Sequence, residues 1–398
     1  MSLASVQPAR RRTLIAIWLA GCVALVATMV FSVAFTTPYR TTWAWISFIA
    51  MVAVEDVVRR RAGSGWGWRL PVVTLVAATI VFRKHPDVSV LVVLSAAPLA
   101  SLLMRQAWFT LLGKTASWIL AVVAGSAALG LVGFGDTPHF VAATAVLLVV
   151  VATMDWMLWS FLAGADAPAP RPSRAAAAWR FAAALAFGAL GAGLALGWRT
   201  PSVGPVMLRL GEICVLGVVG MLIGFVLGGT ARGPAGGRLS VRRLPTAVVV
   251  GGGLLVVSTR VPNMISAPLA AVGLVALGIW VIRHRAYHGA CLVLGGLCNE
   301  IARAANGGRM PVETAGLPPA LRNDFAGLSR DSTTYLVAGP GTALRWLADR
   351  FPVPVFPGVA SIGDILVAIG IVWLAAALTI AGPRAERPGE ITNERAAA

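Results

Sequence analysis

This chain of 398 residues has little charge. Only 12% of its residues are charged, 58% are hydrophobic and the mean hydropathy is +0.80. That balance excludes a soluble globular protein of ordinary composition, in which about a quarter of the residues are charged, and places the chain in a lipid bilayer. Acids are scarcest, with 16 Asp and Glu against 33 Lys and Arg. The resulting net charge of +17 does not point to nucleic acid, because the basic residues sit in short clusters between apolar runs, not along one soluble face. No nucleic-acid partner is expected.

Cysteine is also sparse. Cys22, Cys214, Cys291 and Cys298 all lie inside apolar runs, which excludes a secreted disulfide framework or a C-x-x-C metal site. Cys291 and Cys298 share a helical face but lie about 10 Å apart along the axis, beyond disulfide reach. His85, His139, His284 and His288 fall at span ends and loops. No H-E-x-x-H, G-x-S-x-G or Walker motif occurs. Neither a metal nor a cofactor is expected, and the missing motifs argue against self-contained ATP-driven transport.

What the chain does have is apolar runs. Arg10-Arg11-Arg12 precede the first, at 13–35, which exceeds a signal-peptide core and reads as a span. Further spans are expected at 43–58, 70–82, 88–104, 115–134, 140–164, 179–197, 204–229, 244–258, 264–282, 286–304 and 361–381. The expected fold is all-α, a polytopic bundle of about twelve transmembrane helices. It divides into a six-helix domain at 1–164, an Ala/Pro-rich cytoplasmic linker at 165–178, a second six-helix domain at 179–382 with an external loop at 305–360, and a cytoplasmic tail at 383–398. Basic residues set the orientation. With the N-terminus inside, about 21 of them, Lys114, Arg174 and the Arg59-Arg60-Arg61 cluster included, face the cytoplasm and about 10 face out. Both termini are therefore expected to be cytoplasmic, in a multi-pass protein of the cell (plasma) membrane. Arg69-Leu70-Pro71 and Arg243-Leu244-Pro245 open the third and ninth runs, a faint echo between halves of the kind transporters show.

Ala305-Asn306-Gly307-Gly308-Arg309-Met310-Pro311-Val312, with the earlier Gly236-Gly237-Arg238-Leu239 and the later Ser361-Ile362-Gly363-Asp364, carries a family resemblance. From about 215 to 378 the chain resembles an uncharacterised bacterial family of multi-pass membrane proteins, a domain of unknown function. The resemblance implies a membrane location and a shared motif at the outer face. It carries no activity over, and the first six runs lie outside it.

The candidate site follows from charges inside the apolar runs. Ionisable side chains at membrane depth are costly and usually paired or functional. Arg209 and Glu212 in the eighth run, and Glu300 and Arg303 in the eleventh, are spaced to pair along one helical face. Asn299 and Asn306 share the eleventh run's outer end, and Asp364 opens the last run from the same side. If these seven converge, the carboxylates would bind a cation or proton, and the arginines would hold an anionic group or fix the carboxylates. Asn306-Gly307-Gly308 also reads as a helix stop, and Ser361-x-x-Asp364 as a variant capping box. Glu55 and Asp56, ahead of Arg59, read as an interfacial salt-bridge cluster. Asp155 is either a relay or an interfacial carboxylate. Gly251-Gly252-Gly253 reads as close helix packing. In the loop, 342–351 has an amphipathic helical pattern suited to a membrane surface.

Three function classes stay open. A transporter of a small molecule or ion would use the embedded charges, a membrane-embedded enzyme would act on a lipid-linked substrate, and a sensor or assembly component would bind a membrane protein partner. Apart from the lipid bilayer, the partner expected is an unidentified small molecule or ion.

Overall fold

Within the described residues the apolar runs are helices. A computed structural model describes residues 20–21, 42–61, 70–83, 85–104, 108–132, 137–163, 174–199, 204–229, 246–258, 263–283, 289–315, 317, 322, 335–353 and 358–380. Eleven helices fall within these residues: α1 Thr42–Arg61, α2 Val72–Val81, α3 Pro86–Leu103, α4 Trp108–Val132, α5 Thr137–Ala163, α6 Arg174–Arg199, α7 Gly204–Val226, α8 Thr246–Ser258, α9 Asn263–Arg283, α10 Ala290–Ala305 and α11 Ile362–Ile380. The first expected span at 13–35 apart from Ala20 and Gly21, most of the linker ahead of Arg174, and the tail lie outside the described residues. Among the described residues, five helical stretches, Pro86–Leu103, Lys114–Val132, Arg209–Val226, Ile265–Arg283 and Ile362–Ile380, are long and apolar enough to cross a membrane. α2, with ten residues, spans about 15 Å at 1.5 Å per residue, half of the roughly 30 Å hydrocarbon core.

The chain divides into two units. The first holds Met1–Val218, Phe225–Arg238 and Thr379–Ala398. Its core gathers Phe48 and Val52 of α1, Leu75, Val76 and Ile80 of α2, Val92 and Val93 of α3, Trp118 of α4 and Leu147 of α5, all buried. Phe48 meets Phe82 edge to face, with ring centroids 5.4 Å apart, an arrangement that suits the aromatic quadrupoles. α2 is buried along nearly its whole length, which fits a helix without polar side chains apart from Thr74 and Thr79.

The second unit holds Val219–Gly224 and Leu239–Leu378. Small residues let its helices approach closely, as they do where lipid supplies no hydrophobic drive between helices. Gly251 of α8 lies against Gly273 of α9, where an added Cβ would meet the Gly273 carbonyl oxygen at 2.9 Å. Gly253, by contrast, faces open space, so the expected glycine packing holds at Gly251 and not along the whole triplet.

Between α10 and α11 the chain builds a small ordered platform. β1 Met310–Val312 pairs in parallel with β2 Tyr335–Val337, and β3 Phe351–Pro352 pairs antiparallel with β4 Val359–Ala360. Val312 also bridges to Asp349, with the Asp349 amide donating to the Pro311 carbonyl at 2.9 Å. The amphipathic pattern at 342–351 is not an α-helix. Leu344 adopts left-handed backbone at φ 50, and only Arg345–Leu347 forms a 3-10 turn. The residues that imitate a helical stripe are used otherwise: Leu347 is buried beside Ala302 and Met310.

Candidate functional site

Five of the seven sequence-predicted residues come together around the C-terminal turns of α10. Asn299, Glu300, Arg303 and Asn306 follow one another along that helix end, and Asp364 opens α11. The other two, Arg209 and Glu212, lie in the first unit on α7. There Arg209 donates to Glu212 at 2.8 Å.

The α11 end is a closed polar knot. The Ser361 hydroxyl caps the helix by accepting from the Asp364 amide at 2.9 Å, and the Asp364 carboxylate accepts from the Ser361 amide at 3.0 Å. This is the reciprocal capping box with Asp in the acidic position. Asn299 joins it from α10: its Nδ2 donates to Asp364 Oδ1 at 3.0 Å and its Oδ1 accepts from Ser361 Oγ at 2.7 Å. Gly295 and Gly363 permit that approach, since a Cβ on Gly295 would lie 2.8 Å from the Val367 nitrogen. Every oxygen of Asp364 thus has a protein donor.

One turn further along α10, Arg303 occupies the centre. Its Nη1 donates to both oxygens of Glu300 at 3.0 Å, its Nε to the Gly308 carbonyl at 3.3 Å and its Nη2 to Ser266 Oγ of α9 at 3.4 Å. All three guanidinium nitrogens therefore contact the protein. Glu300, whose two oxygens share one nitrogen, keeps acceptor capacity, because a carboxylate offers about four lone-pair directions. The arrangement suits capture of a positive charge better than capture of an anion.

α10 ends where the sequence predicts. Gly307 and Gly308 have φ +66 and +80, left-handed values that glycine adopts without a Cβ clash. The Gly308 amide reaches back to the Arg303 carbonyl at 2.8 Å, the long bond of a Schellman stop. Asn306 then holds the platform, its Nδ2 donating to the Ala343 carbonyl at 2.9 Å and its Oδ1 accepting from the Ala343 amide at 3.0 Å.

The Family of unknown function (DUF5317) matches residues 243–376. The match lies in the second unit. It covers less than half of the chain, contains Asn299, Glu300, Arg303, Asn306 and Asp364, and leaves out Arg209 and Glu212. Neither the curated proteins nor the solved structures compared with the chain include a match. The similarity to DUF5317 therefore covers the helix stop, the capping box and the Arg303 clamp together.

A second polar group was not expected as a centre. Asp56 is fully buried, pairing with Arg59 through Oδ1 and with Lys114 of α4 through Oδ2 at 2.6 Å. Lys114 also donates to Ser101 of α3 at 3.2 Å and lies 4.8 Å from the Trp118 ring centroid. Glu55 turns the other way. Its carboxylate accepts from the Val73 and Thr74 amides at 3.2 and 2.8 Å and from the Thr74 hydroxyl at 2.6 Å, satisfying free donors at the start of α2. The sequence signalled only a salt-bridge cluster of these carboxylates with Arg59; the second partner of Asp56, Lys114, is 58 residues away. Asp155 of α5 has its side chain outside the described residues.

Proposed function

We propose that this chain is a multi-pass protein of the cell (plasma) membrane, with about twelve spans and both termini cytoplasmic, that binds and transports a small cation, a proton included, at Glu300. The observation that carries the reading is the commitment of Arg303. With its nitrogens directed at Glu300, Gly308 and Ser266, the arginine orients the carboxylate and has little left for an anionic ligand. Glu300 sits near the end of an apolar helix, and an ionisable residue there is a functional candidate by default. In this proposal Asp364 and Asn299 keep α11 registered against α10, and Asn306 fastens the platform over the helix end, on the outer side.

The test is cation uptake into proteoliposomes holding the full chain, with sodium, potassium and a proton gradient as separate probes. Uptake of one of them that Glu300→Gln abolishes and Ser361→Ala spares supports the reading; uptake insensitive to Glu300→Gln refutes it. One observation favours a sensor or assembly role instead. The platform is an ordered body with Trp346 57% exposed, a surface that a membrane protein partner could use. Absence of uptake together with a stable co-purifying protein lost in Trp346→Ala would decide for that role.

A further inference from the structure

We propose that Lys114 is a proton-exchanging group of a buried polar centre in the first unit, independent of the Glu300 site. The centre draws on four elements: Asp56 and Arg59 from α1, Thr74 with Glu55 bound at the start of α2, Ser101 from α3 and Lys114 from α4. Lys114 is six positions into α4, about 9 Å along its axis at 1.5 Å per residue, and Asp56 is five positions before the end of α1. Neither sits at a helix end where a long side chain simply snorkels to water. The side chains of Lys114 and Asp56 are 5% and 0% exposed.

Such a pair is a poor device for stability alone, because desolvating both charges offsets most of their attraction and apolar residues of similar volume would often do as well. The choice of residue is informative too. The chain has two lysines, Lys84 and Lys114, and its remaining basic residues are arginine. Arginine is the usual residue for a buried ion pair and keeps its proton, whereas a buried lysine can give its proton up. The one buried position of this centre that faces a shared carboxylate from another helix carries the lysine.

The geometry compensates for loss of the proton. Asp56 is shared between two cations, so when the Lys114 ammonium transfers a proton to water and becomes a neutral amine, Asp56 remains a carboxylate paired with Arg59. Ser101, which accepts from the ammonium, can then donate its hydroxyl hydrogen to the amine lone pair. The charge of the centre falls by one and no buried charge is left alone. Reprotonation from water reverses the step. The charged and titratable groups on the elements around Lys114 are Glu55, Asp56, Arg59, Arg60 and Arg61 on α1, Asp87 at the opposite end of α3, and His139 and Asp155 on α5; α2 carries none.

Two lysines make the test direct. The full chain, labelled with 13Cε-lysine and held in lipid nanodiscs, gives two signals that Lys114→Arg assigns. The proposal expects Lys114 to pass through its own protonation step over a pH range separate from that of Lys84, and expects Arg59→Gln to move the step of Lys114 and not that of Lys84. It is overturned if Lys114 stays an ammonium at every pH at which the fold persists, if its signal moves together with that of Lys84, or if Arg59→Gln leaves its step unchanged. Should Arg59→Gln fail to fold, the wild-type titration decides, with Ser101→Ala as the second perturbation expected to displace the Lys114 step.

Discussion

Asn306 pairs with Ala343 as one strand residue pairs with another, its amide oxygen accepting from the Ala343 amide and its amide nitrogen donating to the Ala343 carbonyl. A side chain at a helix end thereby substitutes for a β-ladder and holds the connection between α10 and α11. Asn306→Asp keeps the shape and the acceptor but loses the donor. A partly exposed bond of this kind contributes about 1 kcal/mol, so proteolysis and amide exchange at 339–344 should rise severalfold with little change in the melting temperature. Unchanged exchange at Ala343 would show that the platform is held elsewhere.

The Schellman stop predicts a graded series. Gly307 has φ +66 and open space around its missing Cβ, so any penalty for a side chain is conformational only. Gly307→Ala should cost about 1–2 kcal/mol, and Gly307→Asn clearly less, since Asn tolerates left-handed backbone. Thermal unfolding in detergent measures both. Equal losses would mean that contact, not φ, decides the position.

Glycines in the helices should separate by neighbour. Gly295→Ala drives a methyl into the α11 backbone at Val367, and overpacking of this kind costs about 1–3 kcal/mol. Gly217 of α7 has nothing within 4 Å, so Gly217→Ala should be neutral or stabilise by about 0.5–1 kcal/mol through helix propensity. A reversed order would contradict the close approach of α10 and α11.

The α11 knot predicts coupling. Asn299 and Asp364 are 65 residues apart in sequence and share a direct hydrogen bond. Asn299→Ala and Asp364→Ala should therefore each destabilise and be non-additive by about 0.5–3 kcal/mol in a double-mutant cycle. Additivity within error would show that Asp364 only caps its own helix.

What was legible in the sequence was what is local. The helices follow from unbroken apolar runs, the capping box from a Ser and an Asp three apart, and the helix stop from Asn306-Gly307-Gly308. The rest depends on pairs far apart in the chain. Nothing at Asp56 announces Lys114, and nothing at Glu55 announces that it binds the start of α2, because its partners follow at Val73 and Thr74. The helical reading of 342–351 failed for a related reason. Its apolar spacing is real, but Pro352, the left-handed Leu344 and pairing with β1 through Asp349 override the period, and tertiary context outweighs propensity in a segment this short. Arg303 was legible as a partner for Glu300, whereas its bonds to Ser266 and Gly308 required the fold.

The most direct measurement is ion uptake by the reconstituted full chain as Glu300 is varied. Wild type should accumulate a cation or proton and Glu300→Gln should lose at least tenfold in rate, while Asn306→Asp, which loosens the platform and leaves the carboxylate in place, should retain most of it. Equal uptake by wild type and Glu300→Gln in folded, equally reconstituted protein would contradict a cation site at Glu300.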